Sequence, residues 1–182
     1  MVRTLLYVAG GVLLGLVIHL IVILTLPRVA PNQAYLQIAA TESLNAIQPL
    51  PVPAPGAPNP LWLDPDLTYA VCRLDLTNGP GELTGTLPLA FWSVAVYDHA
   101  GTVLYSTTNR DGIGQKLDLG VFDPAQTRLL AEQKIDIAPG LLIVEARTDD
   151  VFVVVRLAAS HPSMRDRYQA QLQRLACRNI TI

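Results

Sequence analysis

Residues 4–26, TLLYVAGGVLLGLVIHLIVILTL, carry no formally charged side chain if His19 is taken as neutral. About 20 apolar residues in a helix span a hydrocarbon core of ~30 Å, so this run is long enough to cross a bilayer. Arg3 and the terminal amine precede it and Arg28 follows, a weak positive-inside bias. It still leaves the short amino-terminal flank in the cytoplasm and the rest of the chain outside. A cleaved secretory signal is the competing reading. Such signals have apolar cores of roughly 7–15 residues ending in a small-residue cleavage site. Here the core is longer, and LPRVAP stands where cleavage would fall. The run therefore reads as an uncleaved signal-anchor. His19 reads as a neutral imidazole with a local hydrogen bond rather than an intramembrane functional group. Gly11 and Gly15 form a small-xxx-small pair of the kind that packs helices.

Beyond the anchor the chain changes texture twice, which predicts three parts: the anchor at 1–30, a juxtamembrane helix with a proline-rich linker at 31–63, and a β-rich domain at 64–182. In residues 32–48, Leu36, Ala39, Ala40, Leu44 and Ile47 recur at helical spacing. Half of residues 49–60 are proline, which excludes helix and central strand and predicts an extended spacer.

From residue 68 the period becomes two. In TYAVCRLDL, Ala70, Cys72, Leu74 and Leu76 share one face, and Tyr69, Val71, Arg73 and Asp75 the other. TNGPGE is a turn and LTGTLP a second strand. Trp92, Val94 and Val96 share one face and Phe91, Ser93, Ala95 and Tyr97 the other. DHAG then suits a tight turn with glycine at its positive-φ position, making a hairpin with TVLYS. KLDLGVF is a further strand. Asp123 and Pro124 open a short helix as N-cap and first residue. GLLIVEAR and VFVVVRLAA read as a second hairpin. Residues 161–177 read as a helix with Met164, Tyr168, Leu172 and Leu175 in one stripe. The fold class expected is mainly β: an antiparallel sandwich or jelly roll with a short helix and a C-terminal helix, preceded by one transmembrane helix. Large apolar groups on both faces of the strands predict that both faces are covered.

The two cysteines, Cys72 and Cys177, are either bonded to each other or buried as free thiols. A domain outside the cytoplasmic membrane is in a compartment that permits the bond. Closing so long a loop stabilises by up to roughly 4–5 kcal/mol in the chain-entropy model.

Chemistry is harder to find. The formal charge of −2 with 13 Lys and Arg speaks against nucleic acid, which needs a basic excess. His19, His99 and His161 show no ligand spacing to one another or to the cysteines, so no metal and no cofactor are expected. Phosphate-loop, dinucleotide and nucleophile-elbow motifs are absent. Ser93 lies too far along its strand from Asp98 and His99 for a triad, whose members must touch, so no catalytic residue is assigned. Arg73, Asp75, Glu145 and Arg156 are the conspicuous polar residues on strands. They form either a polar ligand-binding groove or solvated edge charges.

Residues 64–110 resemble the bacterial family known as domain of unknown function 1254. The resemblance rests on Asp64-Pro65, YAVCRLDL, the Gly79-Pro80 turn and LPLAFWSVAVYD, together with the apolar span, PRVAP after it, and the apolar hairpin ending at Arg156. It implies an envelope-associated, β-rich domain of the short, membrane-anchored kind: single-pass, in the bacterial inner membrane, with its domain in the periplasm. In longer relatives this domain is joined to one of the type known as domain of unknown function 1214. The short members are expected to pair with a separate membrane-anchored companion of that type. The expected function is a non-enzymatic binding or assembly module. The alternative is an enzyme subunit or carrier acting on an envelope lipid or glycan.

Overall fold

The alternation at residues 68–76 becomes a nine-residue strand in the computed structural model, which describes residues 2–29, 32–111, 114–133 and 140–180. The chain separates into two contact units, Met1–Asn32 and Gln33–Ile182. The first is helix α1, Val2–Val29, whose Val2–Leu26 stretch is long and apolar enough to cross a membrane. Thr25 Oγ1 donates to Ile21 O at 2.8 Å, so the hydroxyl is satisfied within the helix. The Arg28 side chain and Pro31, which flank the span, lie outside the described residues.

The second unit begins with α2 (Gln33–Ala39) and β1 (Gln48–Pro49), followed by β2 (Leu67–Asp75), β3 (Gly81–Thr86), β4 (Trp92–Asp98), β5 (Val103–Thr108) and β6 (Lys116–Phe122). Then come α3 (Pro124–Gln133), β7 (Leu142–Glu145), β8 (Asp150–Ala158), α4 (Arg165–Leu172) and β9 (Ala176–Asn179). Sheet one has the order β1-β2-β8-β4-β5 and sheet two β7-β6-β3-β9. Every pairing is antiparallel except β6 with β7. This is the mainly β, two-sheet architecture that the strand pattern predicts.

The core lies between the sheets. Ala70, Cys72 and Leu74 of β2, Trp92, Val94 and Val96 of β4, and Val151, Val153 and Val155 of β8 meet Leu83, Leu117, Leu119 and Val121 of sheet two. Tyr168 and Leu172 of α4 close the same cluster. The opposite face of sheet one is also covered. Val71, Phe152 and Val154 pack with Ile38 of α2 and with Leu50, and Leu61 and Leu63 lie against them. Both faces of β2 and β8 are therefore apolar, as their sequences require.

The β4–β5 hairpin forms as expected. Gly101 takes φ 87° and its N–H donates to Asp98 O at 3.0 Å. Asp98 Oδ1 accepts from Thr102 N at 2.7 Å. Helix α3 is capped as expected. Asp123 Oδ1 accepts from Ala125 N and Gln126 N, and Gln126 Oε1 accepts from Asp123 N, a reciprocal capping box.

Four local expectations are corrected. First, β7 and β8 are not a hairpin. β7 pairs in parallel with β6 in sheet two, whereas β8 lies between β2 and β4 in sheet one. A strand apolar on both faces is best placed centrally, with neighbours on both sides. Second, the helix expected over 161–177 ends at Leu172. Leu175 and Cys177 are then buried while Ala176 and Arg178 are exposed, a switch to period two that supplies β3 with a partner in β9. Third, the helix expected over 32–48 ends at Ala39. Thr41 and Ser43 hydroxyls donate to Ile38 O, and Asn45 takes a positive φ of 52°. Fourth, the proline-rich stretch does not begin as a free spacer. Pro49 sits on an edge strand, where its missing N–H is tolerated, and Leu50 N donates to Tyr69 O at 2.9 Å.

Cys72 on β2 and Cys177 on β9 form a disulfide, with Cα atoms 6.5 Å apart. It joins sheet one to sheet two.

Candidate functional site

The four polar strand residues do not converge. Arg73 and Asp75 end β2 on the outer face of sheet one. Arg156 is on that face too, but the register pairs Arg73 with Phe152 and Tyr69 with Arg156. The apolar pair Val71–Val154 lies between. Glu145 is exposed on β7, in the other sheet. Each of the first three has a local partner. Asp75 accepts from Thr77 N, Thr77 Oγ1 and Asn78 Nδ2, capping the turn that follows β2. The Thr77 hydroxyl, then the Thr77 N–H, hold its carboxyl below the usual carboxylate range. Arg156 Nη2 donates to Tyr97 Oη at 2.7 Å.

Arg73 faces a residue that no spacing argument finds. Tyr35 on α2 reaches the outer face and interacts with both Arg73 and Asp150. Burial first, then the Asp150 charge, push its hydroxyl pKa up, against the Arg73 charge. It is a neutral donor at ordinary pH, not a base. Its ring lies 6.0 Å from Phe152 and 6.4 Å from His99, and Phe152 stacks on Tyr97 at 5.1 Å. Aromatic contacts and hydrogen bonds thus fasten α2 to one end of sheet one, where β4 ends at Asp98 and β8 begins at Asp150.

His161 Nδ1 lies 2.9 Å from Ser163 Oγ and caps a short 3-10 turn. Ser93 and Asp98 stand at opposite ends of β4, in keeping with the distance argument against a triad. Among the described residues no three His, Cys, Asp or Glu side chains gather as metal ligands would.

At the other end of the sandwich, where β2 and β4 begin and β8 ends, two large apolar side chains are exposed. Leu89 is 90% exposed and Phe91 46%. They sit on the β3–β4 connection beside a cleft of about 390 Å³, which Pro88, Trp92, Asn109 and Gln115 also line. The connection is held by Asn109 Nδ2, which donates to Ala90 O at 3.2 Å, and by Gln115 Nε2, which donates to Leu87 O at 3.3 Å. Trp92 forms the floor as a fully buried core residue. LPLAF carries this surface in plain sequence. The period-two reading carries Phe91 as the first residue of the face that bears Ser93, Ala95 and Tyr97, one position ahead of β4, and does not reach Leu89.

The family model described as "Protein of unknown function (DUF1254)" matches residues 44–178. No curated protein matches the chain. Among solved structures, the VPA0106 protein from Vibrio parahaemolyticus is similar at a TM-score of 0.57 and 12% identity, over 81% of this chain and 34% of that one. An uncharacterized protein from Burkholderia cenocepacia aligns at a TM-score of 0.43 and 14% identity, over 74% of this chain and 34% of that one. The chain therefore spans about a third of the length of either protein.

Proposed function

The chain belongs to the DUF1254 family, and from that premise we propose that it is a membrane-anchored protein of the bacterial cell envelope whose β-sandwich binds a second protein and catalyses no reaction of its own. In this reading α1 is an uncleaved anchor in the inner membrane, with its amino terminus cytoplasmic and the sandwich periplasmic. The disulfide supports such a compartment, because these bonds persist where the surroundings are oxidising.

The observation that carries the binding reading is the exposure of Leu89 and Phe91 around an apolar cleft. Contiguous large apolar side chains on a surface mark interaction sites. The companion proposed is a membrane-anchored protein of the DUF1214 type, the partner that the resemblance implies.

The test is affinity purification of the tagged full chain from its native membrane after mild cross-linking. A single stoichiometric membrane protein is expected. Recovery of the intact, folded chain alone overturns the reading.

A further inference from the structure

We propose that the layer covering the outer face of sheet one lies on the bilayer surface, with the Trp62 indole seated among the lipid headgroups. The inference rests on the anchor reading above and adds a second, peripheral contact with the same membrane.

Trp62 is 90% exposed, and the chain is built to hold it so. Its φ is 52°, a left-handed backbone that a bulky residue rarely adopts. Asn59 fixes that conformation. Its backbone O accepts from Trp62 N at 3.1 Å, its Nδ2 donates to Leu63 O at 2.8 Å, and its Oδ1 accepts from Leu63 N at 2.9 Å. Leu61 and Leu63, on either side, pack on the outer-face cluster with Tyr35 and Ile38 of α2. The two leucines tie the segment to the sheet, and the indole between them is left to the outside.

Three observations say what covers it. The first is chain reach. Gln33, where α2 starts, follows Leu26, the end of the span, by seven positions, and seven residues extend at most about 25 Å. If α1 spans the bilayer, α2 cannot stand far from the headgroups, and Leu61 and Leu63 belong to its layer. The second is charge. Between Arg28 and Asp64, Glu42 is the sole Asp, Glu, Lys or Arg, in a chain that is 15% charged. A face bathed in water carries more. The third is the backbone. Half of residues 49–60 are proline, which has no N–H, so fewer donors lose water when the segment meets an apolar boundary. Tryptophan, with an apolar ring and one N–H, is the side chain that favours that boundary. Leu36 of α2, 50% exposed, adds apolar surface to the same layer.

The experiment uses the two tryptophans. Trp92 is fully buried, so the difference in emission between the full chain and Trp62→Phe reports Trp62, and the emission left in the variant reports folding. Both proteins are reconstituted in vesicles of phosphatidylethanolamine and phosphatidylglycerol, and in the same vesicles with acyl chains brominated near the headgroup. The expected Trp62 emission is blue-shifted from that of an indole in water, resists aqueous iodide and is quenched by the bromines, while Trp92 is not. Bromine quenching is read on the unmodified chain as well, so the test does not depend on the variant folding. Red emission open to iodide overturns the inference while leaving the anchor reading intact. Blue-shifted emission that bromine leaves unquenched, the result of cover by a second copy, does the same. Chains that fail to float with the vesicles overturn both.

Discussion

Asp75 and the Cys72–Cys177 pair show how much a single side chain settles here. The Asp75 carboxylate accepts three hydrogen bonds at the end of β2, which lower its pKa in the folded chain. Asp111 is lowered likewise, by the Thr108 N–H first and then by the Thr107 and Thr108 hydroxyls. A depressed folded value means that the unfolded chain binds protons first as pH falls. The stabilisation is thus complete above the unfolded value of about 3.9 and is lost as pH drops through the folded one. Asp75→Asn together with Asp111→Asn should flatten the decline of unfolding free energy below about pH 4. Denaturant titrations at stepped pH give the answer, and an unchanged slope contradicts it. Replacing both cysteines by alanine should lower stability by up to ~4–5 kcal/mol. Thermal unfolding of the detergent-solubilised chain reads this out, and an unaltered Tm refutes it. The sequence leaves that bond open between two readings for a physical reason. Which strand faces which across a sandwich is not encoded in local alternation. Tyr35 is less legible still, because its partners Arg73 and Asp150 belong to strands far along the chain and nothing in NQAYLQ marks the meeting.

The elements divide by how local their causes are. β2, β4 and β5 follow from period two and turn chemistry, and α3 from its Asp123 cap and Pro124, and all four form where the pattern places them. β7, β8 and β9 depend on what lies beside them. A central strand needs two neighbours, so β8 leaves β7 for sheet one, and β3 needs a second partner, so the end of the chain is strand rather than helix. Trp92 opens β4 fully buried in the core, and Trp92→Ala should cost about 3–5 kcal/mol. The shift of the denaturation midpoint measures it, and a shift equivalent to under ~1 kcal/mol would show the site collapsing without loss. Ending the chain at Leu172 removes β9, frees Cys72 and leaves β3 as an open edge. Open edges invite association, so the truncated protein should elute as aggregates in size-exclusion chromatography. A monodisperse peak would mean that β9 is dispensable.

At the scale of the whole molecule, the apolar amino-terminal run, the two-sheet class and the coverage of both sheet faces are legible from composition and period. The exposed apolar surface at Leu89 is not, because exposed and buried leucines look alike until the strands are paired. If α1 is an uncleaved anchor, alkaline carbonate should fail to extract the chain, and the extracted membranes should hold it with its amino terminus intact. A soluble fragment lacking α1 would instead mark a cleaved signal. The bond between the sheets also imposes an order in time. Cys177 is made 105 residues after Cys72, a delay of roughly 5–20 s at ~5–20 residues per second of synthesis. Throughout that interval Cys72 is a thiol whose native mate does not yet exist. β8, the neighbour that completes its strand, is also still unmade for most of it. The oxidant that closes this pair must therefore act after β9 has been made, and a nascent chain halted before β9 is left with a reactive sulfur to trap.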